Sequence, residues 1–217
     1  MDSSGYGSEP RAGTADGVPA SEPDALLTVS AKIVVAGGFG VGKTTFVGSV
    51  SEVPPLNTEA WMTEAGTGVD EPVDAGKSTT TVAMDFGRIT LDPGLLLYLF
   101  GTPGQSRFWF LWDDLTRGAL GAVVLVDTRR LDHSFAAINY FENDSQLPFV
   151  VAVNRFHGEL HHDLDEVRDA LALPADVPLI TCDAREAAST VETLRRLVTH
   201  VMSLGELSPP GRVRAHA

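Results

Sequence analysis

The run GGFGVGKTT, from Gly37 to Thr45, decides the fold. It satisfies G-x-x-x-x-G-K-[ST] through Gly37, Gly42, Lys43 and Thr44. Each residue type has a physical reason to be there. The glycines let successive backbone N–H groups curl around phosphate oxygens, Lys43 adds a mobile cation, and the Thr44 hydroxyl suits a Mg²⁺ ion. Gly38, Gly40, Val41 and Thr45 complete the surface that a phosphate chain would meet. The context is also right, because the apolar strand KIVVAGG runs into the loop and KTTFVGSV has the length and composition of the helix that follows.

Working outward, the chain has the layout that such a loop requires. TTTVAMDFGRITL and LLLYLFG read as two strands joined by the turn Asp92-Pro93-Gly94, close enough to pair antiparallel. Apolar strands GAVVLVDT, PFVVAVN and VPLITCD then alternate with the helical stretches LDHSFAAINYFEN, DLDEVRDALAL and STVETLRRLVTHVMSL. Continuous apolar strands between amphipathic helices imply a parallel sheet covered on both faces. The expected fold is an α/β P-loop NTPase sandwich of three layers. Its six-stranded sheet is mostly parallel, with one antiparallel edge strand. Asp163 with Glu166, and Ser189 with Glu192, have capping-box spacing and predict two helix starts. Residues 54–78 read as a polar, acidic loop of a length that is usually functional or disordered.

Size and charge set outer limits. A chain of 217 residues, 43% of them hydrophobic, can bury one core. The expected domain spans 29–204, with a disordered tail over 1–28, rich in Gly, Ser, Pro and acid, and a flexible one over 205–217. The net charge of −13 repels nucleic acid and anionic lipid. A single cysteine, Cys182, excludes an internal disulfide and reads as a small buried strand-end residue. Without a signal-like or spanning apolar run, or a lipidation motif at either end, the expected location is the cytoplasm, with membrane contact only through partners. His157, His161 and His162 lie near one another, but their loop fixes no geometry for zinc.

A second motif begins within the third strand candidate: LYLFGTPGQSRF, Leu97 to Phe108. Together the phosphate loop, the TTTVAMDFG strand, LFGTPGQ, the VAVN strand and TCDAR resemble, in order and rough spacing, the Ras-like small GTPases. They resemble most the bacterial branch of MglA-type gliding-motility GTPases and the conservon-encoded GTP-binding proteins of actinomycetes. The likeness covers about residues 30–204. It implies a guanine nucleotide (GTP or GDP) with Mg²⁺, and a switch that hydrolyses GTP. It also implies partners of the roadblock and sensor-kinase-like kinds, with the chain alone a monomer or weak dimer.

The resemblance also assigns residues. The position that normally carries a metal-directed aspartate holds Gly101, as is common in that branch. Antiparallel pairing about the Asp92 turn puts Met84 or Asp85 opposite Phe100 or Gly101, so Asp85 is a candidate to supply the missing carboxylate. A one-residue slip would turn it to the other face. Thr81, with Thr80 as the alternative, matches the mobile switch-I threonine that senses the metal and the γ-phosphate. Gly104 and Gln105 match the glycine and the water-orienting glutamine of switch II, so Gln105, Lys43 and Thr81 form the expected catalytic group. The place of an intrinsic arginine before Thr81 holds Thr80, which leaves Arg107 or a partner's arginine. An arginine finger is worth roughly 10³–10⁵ in rate, so slow turnover that a partner accelerates is expected. Phe108, Trp109, Phe110 and Trp112 cannot all face one core from a helix, and at least one should be exposed for a partner.

For the base, the family's Asn-Lys-x-Asp appears as Asn154-Arg155-Phe156-His157. Loss of the carboxylate should cost roughly 1.5–3 kcal/mol of guanine discrimination, about ten- to a hundredfold. A neutral His157 can accept one bond, Arg155 offers an aliphatic stem over the base plane, and Asp183, Ala184 and Arg185 complete the pocket. The alternatives to a switch are a P-loop ATPase or small-molecule kinase, toward which only Arg129-Arg130 offers a lid-like cation, and a module that holds nucleotide constitutively as a scaffold.

Overall fold

In the computed structural model, residues 28–54, 56–63, 79–104, 106–156, 158, 160 and 162–205 are described. Apolar alternation in β1 (Val29–Gly37) sets the layers. Ile33 and Val35 face a core shared with Phe46, Val47, Leu97, Leu99, Leu194 and Leu197. Val34 and Ala36 face a second core with Trp112, Ile138, Phe141 and Val167. A strand buried on both faces must lie between helices, and β1 has β4 (Leu95–Gly101) on one side and β5 (Gly121–Val126) on the other, both parallel to it. The parallel run continues through β6 (Phe149–Asn154) to β7 (Leu179–Cys182). Helices α1 (Lys43–Val50) and α5 (Ala187–Ser203) contribute to the first core. To the second contribute α2 (Trp112–Thr116), α3 (Phe135–Asn139) and α4 (Leu164–Ala170).

The fold class is the expected one, but the sheet has seven strands in the order β2-β3-β4-β1-β5-β6-β7. The additional strand, β2 (Leu56–Thr63), falls inside the stretch read from sequence as a loop. It pairs antiparallel with β3 (Thr79–Asp92), so β3 is not the edge strand and β2 takes that place. The reason it escapes a sequence reading is its composition. Leu56, Thr58, Ala60 and Met62 alternate with Asn57, Glu59, Trp61 and Thr63, which mixes apolar and polar residues on both sets of positions. Backbone pairing with β3 supplies what the pattern does not.

Two other local readings divide. Asp163 forms the predicted capping box with Glu166 at the start of α4. The Ser189–Glu192 box is absent, because α5 already starts at Ala187 and the Ser189 hydroxyl accepts instead from the Asp183 N–H at 2.9 Å. The predicted helix LDHSFAAINYFEN is broken into a 3₁₀ segment (Thr128–Ser134), α3 and a π turn (Tyr140–Asp144). No helix among the described residues is long and apolar enough to cross a membrane. Both terminal tails, 1–27 and 206–217, lie outside the described residues.

Candidate functional site

The carboxyl ends of β1, β4, β5, β6 and β7 open on one edge of the sheet, the place where open α/β sheets take ligands. The phosphate loop follows β1 there. Gly40 and Gly42 take φ of 74° and 106°, the left-handed region that aims consecutive N–H groups into one hollow. Gly42 then starts α1, whose first residue is Lys43. The Lys43 ammonium lies across the loop and donates to the carbonyls of Gly37 at 2.9 Å and Gly38 at 2.8 Å. Burial draws its pKa down to about 8, against the opposing pull of the Asp85 charge. Val41 is buried under the loop, while Thr44 and Thr45 stay exposed on the first turn of α1.

Asp85 stands directly opposite Gly101 in the β3–β4 register. A Cβ built on Gly101 would lie 2.8 Å from the Asp85 Oδ2 and 2.9 Å from its Cβ, so the carboxylate fills the space that a side chain at 101 would occupy. The same Oδ2 accepts the Thr44 hydroxyl at 2.8 Å. The geometry therefore joins a P-loop threonine to a carboxylate from the neighbouring strand, the oxygen donor set that suits a hard divalent cation. Behind it, β4 is tied to β1, and the Thr102 N–H donates to Val35 O at 2.9 Å. The Thr102 hydroxyl is buried without a partner among the described residues. Gly104 abuts the phosphate loop so closely that an added Cβ would meet Lys43 Nζ at 2.8 Å and the Phe39 Cα at 2.9 Å.

Thr81, expected on a mobile loop, stands in β3 paired with Trp61, and Thr80 pairs with Met62. The strand begins at Thr79 as read from sequence, and what that reading lacked is the partner β2 that pairs with its first residues. Gln105 lies outside the described residues, as do His157 and His161. Of the aromatic cluster, Trp112 is buried at 2% exposure whereas Trp109 and Phe110 are 42% and 59% exposed. The expected exposed aromatic on this segment is present twice.

At the base end, Asn154 closes β6 and bridges two loops. Its Nδ2 donates to Val41 O at 2.9 Å, and its Oδ1 accepts the Ala184 N–H at 3.1 Å. Arg155 hydrogen-bonds through its backbone to Cys182 O at 2.7 Å, and its Nε is buried without a partner among the described residues. Asp183 accepts from the Arg185 backbone and guanidinium at 2.7–3.0 Å, which holds its carboxyl down at about 2. Cys182 is fully buried, and burial pushes its thiol up to about 12. It is inert as a nucleophile.

A third group was read from sequence only through Arg129-Arg130, and the acid that organises it, Asp127, was not assigned. Asp127, 4% exposed just past the end of β5, accepts from the Arg129 backbone N–H and from two nitrogens on one edge of its guanidinium at 2.9–3.0 Å. The Arg129 cation also stacks over the Phe156 ring, 4.1 Å from its centre. Next to it, Arg130 NH2 stands 3.3 Å from where a Cβ on Gly40 would lie. The available signal was the acid closing the apolar run GAVVLVD, at the strand end where ligands collect.

Residues 35–204 match the model of a family described as conserved hypothetical ATP binding protein. The chain belongs to that family. The uncharacterized protein MJ1339 of Methanocaldococcus jannaschii is 25% identical over 125 residues, 57% of this chain and 69% of that protein. Among solved structures, the FeoB G-domain from Methanococcus jannaschii superposes with a TM-score of 0.53 at 16% identity, covering 80% of this chain and 98% of that one. The cytosolic domain of the T. maritima FeoB iron transporter in a GDP form gives 0.55 at 15% identity, over 80% of this chain and 64% of that one. These likenesses establish a G-domain-like P-loop NTPase fold.

Proposed function

We propose that this protein is a Mg²⁺-dependent guanine-nucleotide switch that hydrolyses GTP slowly, faster with a partner, and acts in bacterial signalling. The observation that carries the reading is the Thr44–Asp85 contact beneath Gly101. A chain that loses the switch-II aspartate and places another carboxylate in the same space retains the donor set for a metal. Thr44 and Asp85 are the residues that would hold Mg²⁺, whereas Thr81, four residues away along β3, is about 13 Å from Asp85 in this arrangement and would reach the ion only if β3 opened. Bound at Thr44 and Asp85, Mg²⁺ would offset the charge of the β- and γ-phosphates.

The protein's own groups divide the remaining work. The N–H groups from Gly38 to Thr45 hold the phosphate chain, and Lys43 exchanges its loop carbonyls for phosphate oxygens, a stronger charge-assisted contact. Gly104, seated against the loop, is positioned to report the terminal phosphate through its backbone, and Gln105 orients the attacking water. Asn154, Arg155, His157, Asp183, Ala184 and Arg185 frame the base. Trp109 and Phe110 offer a hydrophobic surface on the segment next to Gln105, suited to a state-dependent partner. Roadblock-type and sensor-kinase-like proteins are the partners the sequence likeness suggests, with the cytoplasm as location and any membrane recruitment through them.

A second reading, an ATPase, is favoured by two facts: the family's description as ATP binding and a histidine where guanine motifs carry an acid. Titrating GTP, GDP and ATP with and without Mg²⁺ separates the two. The switch reading expects guanine preference and a Mg²⁺-assisted triphosphate affinity that Asp85→Asn reduces about tenfold. Tighter ATP than GTP binding replaces the first reading with the second, and an Asp85→Asn protein with unaltered Mg²⁺ dependence removes Asp85 from the metal site.

A further inference from the structure

The geometry points to Arg130 as a phosphate-binding residue, a guanidinium supplied by the chain itself that contacts the phosphates of the bound nucleotide beside Gly40. This rests on the nucleotide reading above and adds to it a residue from outside the recognised motifs.

Position is the first argument. The Arg130 terminal nitrogen lies over the middle of the phosphate loop, 3.3 Å from a Cβ placed on Gly40. It is held there by its neighbours, since a Cβ on Gly38 would meet His133 Cβ at 2.7 Å and its carbonyl oxygen at 2.9 Å. The segment 128–134 therefore lies flat against the loop. At Arg130 itself the backbone leaves the helical region, with φ −147° and ψ 58°, and interrupts the 3₁₀ segment at the point of contact.

Unspent bonding capacity is the second. Asp127, the nearest acid, is saturated by Arg129 through three hydrogen bonds of 2.9–3.0 Å. Arg130 reaches the same carboxylate only at 3.6 Å, beyond hydrogen-bond length, and it has no other partner among the described residues. Its side chain keeps 43% exposure. A guanidinium carries five donors in a planar fork matched to phosphate oxygens, and this one lies beside the loop with none of them in a hydrogen bond among the described residues. Charge balance is the third: a chain of net charge −13 repels a polyphosphate, so an added local cation beside Lys43 favours uptake.

The test measures affinities of GTP, GDP and GMP, and of their adenine counterparts, for the wild type, Arg130→Gln, Arg130→Lys and Lys43→Ala at low and high salt. A direct phosphate contact predicts that Arg130→Gln weakens the tri- and diphosphates roughly ten- to a hundredfold and the monophosphate less. It also predicts a shallower salt dependence for Arg130→Gln, partial recovery in Arg130→Lys, and an unchanged unfolding midpoint. Wild-type affinity in Arg130→Gln overturns the assignment. So does an equal loss for all three guanine nucleotides together with a lowered midpoint, which would make Arg130 a brace for the loop. If the wild type takes up no nucleotide, the underlying reading falls and this one with it, an outcome distinct from failure of the Arg130 variants alone.

Discussion

The phosphate end and the base end of the site are built in opposite ways. At the phosphate end one unbroken segment, Gly37 to Thr45, supplies the curled backbone, the ammonium and the hydroxyl, and the neighbouring strand adds Asp85 across from Gly101. At the base end three separate segments meet, with Asn154 spanning from Val41 to Ala184 and with Asp183 already committed to Arg185. On the proposed reading, the contrast makes gripping a triphosphate and choosing its base separable tasks. A loop of main-chain amides would hold phosphates whatever base is attached, while base choice would rest with side chains that differ from the guanine pattern at Arg155 and His157.

The contrast breaks first at Lys43. Lys43→Ala should lower triphosphate affinity by roughly a hundredfold or more, for guanine and adenine nucleotides alike, in a fluorescent-nucleotide titration. A loss confined to one base would show that the two ends are not separable. Asn154→Ala comes next, because it leaves Val41 O and the Ala184 N–H buried without their partner. Chemical denaturation should show a loss of about 1–3 kcal/mol. His157→Asp sharpens the base end by restoring the carboxylate, and competition between GTP and ATP should move toward GTP by roughly tenfold with no change in Mg²⁺ dependence. The smallest effect is at Asp183. Its carboxyl is held at about 2 by Arg185, below the usual 3.8, so its contribution is complete above about pH 4 and disappears as the pH falls through 2. Because Arg185 is half exposed, Asp183→Asn should cost no more than about 1 kcal/mol at pH 7. The difference from wild type should shrink in melts as the pH falls toward 2 and be gone only below it.

What could be read from the sequence follows the same division. The phosphate loop, the alternation of buried strands and the capping box at Asp163 are local signals, complete within a few residues, and the structure carries all three. The Asp85–Gly101 juxtaposition was within reach because a tight turn at Asp92 fixes an antiparallel register, leaving a choice between two alignments that the β3–β4 ladder resolves. Strand β2 was not within reach, since its mixed residues form a strand only through pairing with β3. Ser189 misled for a different reason: the helix starts two residues before it, and its hydroxyl reaches back to the Asp183 N–H in the loop leading into that helix. The Asp127–Arg129 pair is local, two residues apart, but Arg130's approach to Gly40 depends on where β5 ends relative to β1, which is a property of the assembled sheet.

The Asn154 side chain has one more consequence. By fastening the Val41 carbonyl and the Ala184 amide to a single amide group at the end of a buried strand, it makes the distance between the two ends of the site a fixed span, like the jaws of a locked caliper. On the proposed reading, a molecule would then be sorted by reach as well as by charge: one with the right phosphates on a longer or shorter spacer would seat one end only.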